Sequence, residues 1–216
     1  VLRACPPESV ALLEGLVSTG VRSGARLFLV GGPVRDLLLK RPIRDVDLLI
    51  EGGDLGQAQA LAARGTPEGA RIVSHERFGT VHVDWGGVSL DLASSRTEVY
   101  PRPGALPRVE SASLEADLRR RDFTVNALAI RLTPEEPKNR MAVMDSGTGL
   151  QDLAAGELRI LHDDSFHDDP TRAIRAARFA ARLGFSVSRR TGSQLRAALR
   201  DGAFGALGPG PRLHTE

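Results

Sequence analysis

Leu29-Val30-Gly31-Gly32-Pro33-Val34-Arg35-Asp36, followed after a short gap by Arg44-Asp45-Val46-Asp47-Leu48, ties the architecture of this chain to its chemistry. Arg26 to Gly31 reads as a short apolar strand that ends in Gly31-Gly32. Pro33 suits the first turn of a helix running to about Lys40. Val46 to Ile50 reads as the next strand, closed by Gly52-Gly53. Asp45 and Asp47 are two apart at its start, so both carboxylates point to one face. Two such carboxylates repel unless a cation sits between them. Magnesium takes oxygen ligands and keeps substrate phosphates among them. Gly31 and Gly32 let a backbone come close to a phosphate, and Arg35, one turn into the helix, adds a charged fork. Asp91, inside the apolar strand Val88 to Leu92, is the third acid expected at a metal-assisted phosphoryl-transfer site. In a strand that reads as buried, its carboxylate needs a partner.

Outward from this stretch the elements alternate. Asp54 is placed to cap a helix through Ala63. Arg71 to Ser74, Thr80 to Trp85 and Val88 to Leu92 read as strands, with a hairpin turn at Gly86-Gly87. Ser95 to Ser113 reads as a long polar loop containing Pro101, Pro103 and Pro107. A Pro-rich turn at Pro134 to Pro137 follows. From Asp163 onward the pattern is helical, with Pro170 opening one helix and Gly184 closing it. The expected fold is α/β, a mixed sheet with flanking helices over residues 1–158. The start of an all-α domain is expected over 159–216. The last residues carry no stop signal, which reads as a piece of something longer.

Composition bounds the function. Hydrophobic residues make up 41% of the 216 and charged residues 26%, ordinary for a globular chain. The lone Cys5 excludes an internal disulfide framework and a cysteine-based zinc cluster. No apolar run reaches the roughly 18 residues of a membrane span. Val1 to Val10 lacks the form of a secretory signal, so a soluble cytoplasmic protein is expected. Of 29 basic residues, 27 are arginine, Lys40 and Lys138 being the others. Eight of these arginines lie between Pro170 and Arg200, where there is no acid at all. Such a one-signed block calls for an anionic partner.

The quoted stretch resembles the first motif of class II tRNA nucleotidyltransferases and bacterial poly(A) polymerases, in the DNA polymerase beta superfamily. Three more stretches are similar to further motifs of that family, in the same order. Asp117-Leu118-Arg119-Arg120-Arg121-Asp122-Phe123-Thr124-Val125-Asn126-Ala127 resembles the second, which handles ribose and triphosphate. Asp145-Ser146-Gly147-Thr148-Gly149-Leu150-Gln151-Asp152-Leu153 resembles the third, a hinge between head and neck. Asp168-Asp169-Pro170-Thr171-Arg172 resembles the fourth, usually written Glu-Asp-x-x-Arg. Its Glu is Asp168 here, one methylene shorter. The resemblance covers roughly residues 26–185 and implies a nucleotidyltransferase head followed by the start of a helical neck. It also implies a body and tail beyond Glu216.

The resemblance assigns nucleotide binding to Arg120, Arg121, Asp122 and Asn126. Asp169 can accept from an exocyclic amino group, and Arg172 can donate to a ring nitrogen or carbonyl. Cytosine and adenine share the amino-next-to-acceptor edge that such a pair reads, whereas uracil and guanine carry the reverse. Asp169 is equally placed to cap the helix that Pro170 opens. Arg172, Arg175, Arg178 and Arg182 fall within a helical stripe about 120° wide. The first three are expected on the triphosphate, and Arg182 with the later arginines on tRNA phosphates. Phe179, at the edge of the stripe, reads as core, and His82 as structural. No histidine has ligand spacing.

The implied activity is magnesium-dependent addition of CMP and/or AMP to the tRNA 3′ end, with CTP and/or ATP as substrates. Asp45 and Asp47, helped by Asp91, are expected to hold two metals for the phosphoryl transfer. A poly(A) polymerase shares all four motifs. An inactive nucleotide-binding or RNA-binding module is the alternative of another class. Ser95 to Ser113 is full length for the flexible loop that CC-adding members of the family lack, which leans away from a CC-only enzyme.

Overall fold

The computed structural model describes residues 5, 7–101, 106–133 and 142–206. The expected turn at Pro134 to Pro137 and the chain end lie outside the described residues. Two compact units are present. The first comprises residues 1–97, 109–118 and 128–145, and the second comprises 98–108, 119–127 and 146–216.

In the first unit, helix α1 (Val10–Ser23) leads into β1 (Arg26–Val30), α2 (Gly32–Leu38), β2 (Val46–Glu51) and α3 (Gln57–Gly65). The strands β3 (Arg71–His75), β4 (Thr80–Trp85) and β5 (Val88–Ser94) follow. A later segment adds β8 (Leu128–Arg131) and β9 (Val143–Asp145). Together they form a seven-stranded sheet in the order β3-β4-β5-β2-β1-β8-β9. Only β2 and β5 run parallel, and the other neighbours are antiparallel. The sheet is therefore mixed, as the alternating pattern implied.

Four successive residues of β1, Leu27 to Val30, are buried, which marks β1 as a central strand covered on both faces. Strand β5 instead alternates: Leu90, Leu92 and Ser94 are buried, whereas Ser89 and Asp91 are exposed. Helices α1 and α3 pack on each other where Gly15 meets Gly65, and a Cβ on Gly15 would land on the Gly65 carbonyl oxygen. Trp85 pairs with Val88 across Gly86-Gly87, the expected hairpin.

Two local expectations are corrected here. Asp54 does not cap α3. Its Oδ1 accepts from the Gly56 N–H at 2.9 Å, and the helix starts one turn later, at Gln57. Ser95 to Ser113 is not wholly loop either. It holds β6 (Arg96–Val99) and β7 (Arg108–Ser111), which pair as a two-stranded sheet. Neither strand has a buried residue, so neither needs the apolar alternation by which a strand is read. Residues 102–105 are outside the described set.

Helix α4 (Leu114–Arg119) ends the middle segment of the first unit. The second unit is mainly helical: α5 (Gly149–Ala155), α6 (Ser165–Asp168), α7 (Thr171–Leu183) and α8 (Arg189–Arg200). Its core gathers Phe123, Leu158, Ile160, Phe166, Phe179 and Leu183. Phe123 and Phe179 meet edge to face, with ring centroids 6.0 Å apart. Phe179 is thus core, as read. The helical stretch is interrupted once. Strand β11 (Ser186–Val187) pairs in parallel with β10 (Glu157–Leu158), two residues each.

No helix among the described residues is long and apolar enough to cross a membrane.

Candidate active site

The first unit carries the acids. Strand β1 runs antiparallel to β2, so the Gly31-Gly32 turn and the Asp45–Asp47 pair lie at the same end of the sheet. Gly31 has φ 71° and ψ −129°, a conformation that an L side chain resists. Its N–H donates to the Leu128 carbonyl at 2.9 Å, which anchors the turn to β8. Gly32 then opens α2, one residue before the expected proline.

Strand register aligns the rest. Asp47 on β2 is the partner of Asp91 on β5, and Asp91 is the partner of His82 on β4. Asp47, Asp91 and His82 therefore form a row across three strands. Asp45 is exposed and Asp47 half-buried.

Asp91 differs from its expected state. Its side chain is 66% exposed, and its Oδ1 lies 2.7 Å from His82 Nδ1. Burial by sequence pattern failed because Asp91 falls on the open face of a strand whose other face is covered. His82 Nε2 lies 3.1 Å from Asp84 Oδ1, so both ring nitrogens face carboxylates. The Asp91 hydrogen bond raises the His82 pKa against the effect of burial, and the charges of Asp91 and Asp84 add to it.

Asp45, exposed, and Asp47, half-buried, offer the carboxylate oxygens that a magnesium ion takes. Among the described residues no three His, Cys, Asp or Glu side chains gather as a metal cage. A pair of carboxylates completed by water and phosphate oxygens needs no such cage. Asp91, the cross-strand partner of Asp47, is engaged by His82.

Arg35 is also corrected. It is 2% exposed, and its Nε holds Asp36 Oδ1 at 2.9 Å. Its Nη2 lies 3.5 Å from where a Cβ on Gly32 would stand, so the guanidinium packs beside the turn. A buried charge must be paired, and here the neighbouring residue supplies the pair.

The second unit carries the arginines, and they are not equivalent. In α7 the buried stripe is Arg172, Ala176, Phe179 and Leu183. Arg172 thus belongs to the inner face, whereas Arg178 and Arg182 are exposed and Arg175 is intermediate. The expected single stripe of phosphate-binding arginines is divided by burial.

Arg172 Nη1 donates to Ser165 Oγ at 2.7 Å and lies 3.3 Å from His162 Nε2. Its Nη2 donates to the Arg120 carbonyl at 2.8 Å. Asp169 Oδ1 accepts from the Thr171 N–H at 3.1 Å and from Thr171 Oγ1 at 2.7 Å. Asp169 therefore does brace the first turn of α7, the alternative held open for it.

The second motif contributes a buried anchor. Asp122 accepts from Arg175 Nε at 2.8 Å, Asn126 Nδ2 at 3.0 Å and the Phe123 N–H at 2.7 Å. Burial pushes the Asp122 carboxyl up, but Arg175 and the two N–H donors together hold it below the usual range. Asp122 and Asn126 are thus supports, with Arg175 as the group they aim. Arg175 and Arg178 also lie over the Phe179 ring, at 5.4 and 5.7 Å. Arg121 is half-buried on the same segment.

Further residues hold these groups in place. Glu98 takes Arg120 Nη1 at 2.6 Å on one oxygen and the Tyr100 hydroxyl at 2.7 Å on the other. Burial first, and then Glu98, push the Tyr100 phenol up to about 12. The i, i+2 spacing of Glu98 and Tyr100 was the available signal, hidden because the segment read as loop. Asp152 of the third motif is buried and accepts from Thr124 Oγ1 and Thr148 Oγ1, both at 2.7 Å, and from Arg159 Nε at 3.0 Å.

The chain matches the family described as the poly A polymerase head domain over residues 27–159. It is 44% identical over 187 residues to the A-adding tRNA nucleotidyltransferase of Aquifex aeolicus, covering 87% of this chain and 22% of that protein. It is 44% identical over 179 residues to the CC-adding tRNA nucleotidyltransferase of Deinococcus radiodurans, covering 82% and 46%. A solved structure of the Thermotoga maritima CCA-adding enzyme complexed with tRNA-CCA superposes with a TM-score of 0.78 at 35% identity, covering 97% of this chain and 46% of that one. The chain thus spans less than half the length of each of these relatives.

Proposed function

The chain belongs to the poly A polymerase head-domain family, and from that premise we propose that it is the catalytic part of a template-independent tRNA nucleotidyltransferase. It adds CMP and/or AMP to the tRNA 3′ end from CTP and/or ATP and releases pyrophosphate. The reading includes a cytoplasmic setting and a division into a head over 1–158 and a neck starting at 159. The observation that carries it is the Asp45–Asp47 pair at the end of the sheet where Gly31-Gly32 turns.

Asp45 and Asp47 hold magnesium in this reading, with Asp91, the cross-strand partner of Asp47, as the third acid. Magnesium, when bound, neutralises the triphosphate and the developing charge on the attacking and leaving oxygens. Gly31 and Gly32 leave room for a phosphate because neither carries a Cβ. Arg35 packs beside their turn. Arg175, aimed by Asp122, and Arg178 supply charge for the triphosphate, while Arg120 and Arg121 bring further guanidinium groups from the second motif.

Asp169 and Arg172 read the base edge. Asp169 accepts from the amino group of cytosine or adenine. Arg172 keeps its Nε–H and one Nη2 proton free of hydrogen bonds among the described residues, and these donate to the ring acceptor. The exposed arginines of α7 and α8 give the RNA phosphates a basic face.

The test is nucleotide incorporation on tRNAs that end before the CCA, after its first C and after its second C, with a generic RNA alongside. Stepwise completion of the tRNA end supports the reading. Extension of the generic RNA by many AMP residues instead identifies a poly(A) polymerase. No metal-dependent pyrophosphate release on any RNA overturns both.

A further inference from the structure

His162 Nε2 stands between two groups with opposite demands. Arg172 Nη1 is 3.3 Å away, and Asp168 Oδ2 is 3.8 Å away. A guanidinium can only donate, so against Arg172 the nitrogen must offer its lone pair. A carboxylate accepts, so towards Asp168 the same nitrogen must carry a proton. It cannot do both. The proton of the neutral ring then sits on Nδ1.

We propose that His162 is a positioning residue for the base-reading Arg172, and that its protonation loosens Arg172 and so makes nucleotide choice pH-dependent. The proposal deepens the nucleotidyltransferase reading above and rests on it. Arg172 has four holders in three places: Ser165 Oγ and Ser165 carbonyl oxygen, His162, and the Arg120 carbonyl. Ser165 is fully buried. The tethers fix the guanidinium plane, and that plane aims the two N–H groups left for a base.

Protonated at Nε2, His162 loses its acceptor and places a positive charge beside a positive charge. Its new N–H turns to Asp168. Arg172 keeps its neighbours Ser165 and Arg120 but not the contact that sets its rotation about them.

The charged surroundings are unequal. Burial, and next the Arg172 charge, hold the His162 pKa below its ordinary value. Asp168, Asp164 and Asp163 oppose them. Asp163 is shared with Arg190 of α8 at 2.9 Å, which blunts its pull. Burial raises the Asp168 carboxyl, so it too is a weakened partner for an imidazolium. At neutral pH the ring is therefore neutral and Arg172 is held.

The experiment compares kcat/KM for CTP and ATP with that for UTP and GTP, from pH 8 down to about pH 5.5. All four share one triphosphate, so its own titration cancels in the ratio. The wild type is expected to lose selectivity about three- to tenfold at the acid end, the scale of one hydrogen bond. His162→Gln offers an amide oxygen to Arg172 and does not titrate, so its ratio stays flat and high. His162→Leu has a low ratio at every pH.

A readout independent of turnover is the ring itself. Nitrogen NMR should show Nε2 unprotonated at pH 8 and a pKa that rises when Arg172 is replaced by Gln. A wild-type ratio that does not change with pH overturns the proposal, as does a selective His162→Leu or a His162→Gln as poor as His162→Leu. A pKa indifferent to Arg172 also overturns it. A protein that uses all four nucleotides alike at every pH removes the base-reading role and the proposal with it. That result is distinct from selective use without pH dependence, which removes the proposal alone.

Discussion

The three motif acids of the first unit, Asp45, Asp47 and Asp91, are exposed or half-buried, whereas Asp122, Asp152 and Arg172 of the second unit are buried among hydrogen-bond partners. Asp45, just before β2, and Asp91, midway along β5, are exposed, and Asp47 is half-buried. Asp122, Asp152 and Arg172 are each less than a tenth exposed, and each has several hydrogen-bond partners. An open carboxylate is available to a ligand and contributes little to the fold. A buried one is part of the fold, and acts on a ligand through the groups it holds. The two histidines repeat the contrast. His82 is drawn upward by the acids around it, and His162 is pushed down by burial and Arg172.

The contrast is tested most severely at Asp45 and Asp47. Asp45→Ala or Asp47→Ala should abolish nucleotide incorporation, by about a thousandfold or more. The melting temperature should change little by comparison, because Asp45 is exposed and Asp47 only half-buried. Activity within a few-fold of wild type in either variant would sink the metal assignment.

Asp152→Ala should do the reverse. It strands Thr124, Thr148 and Arg159 around a buried gap, at a cost of about 2–4 kcal/mol. Urea unfolding followed by circular dichroism should show the loss. An unchanged midpoint would mean that the buried network is not a structural one.

Asp169 separates the two roles within one side chain. Asp169→Ala loses the brace to Thr171 and should cost about 1 kcal/mol of stability. It should also lower CTP and ATP use by about tenfold to a hundredfold, with UTP and GTP affected less. Asp169→Asn keeps an oxygen for Thr171, so its stability should match wild type. Equal loss on all four nucleotides in Asp169→Ala, with Asp169→Asn fully normal, would reduce Asp169 to a helix cap.

The smallest expected effect is in acid. The folded Asp122 carboxyl titrates below its unfolded value. Its contribution to stability is complete above the ordinary carboxylate range and is lost as pH falls through the lowered folded pKa. The stability gap between wild type and Asp122→Asn should therefore narrow as the solution is acidified below about pH 4. A gap that is constant with pH would show that the ion pair with Arg175 contributes nothing.

The sequence by itself determined the mixed α/β start, the strand-turn-helix around Gly31-Gly32, the Gly86-Gly87 hairpin and the limits of the helix after Pro170. Each rests on local chemistry: a positive φ that glycine allows, a proline that starts a helix, a run of apolar residues that must be covered. It also supplied four motifs in order, and with them the family. Tertiary structure alone decided how each charged residue is used. Asp91 lies open beside His82 because strand register, set by distant pairings, chose the face it occupies. Arg35 and Arg172 are buried because helix packing turned them inward, and burial obliges a charge to find partners. Those partners, Asp36, Ser165, His162 and the Arg120 carbonyl, come from wherever the fold brings the chain together. Spacing along a single sequence records which residues can reach one face, but not which face the rest of the protein will cover.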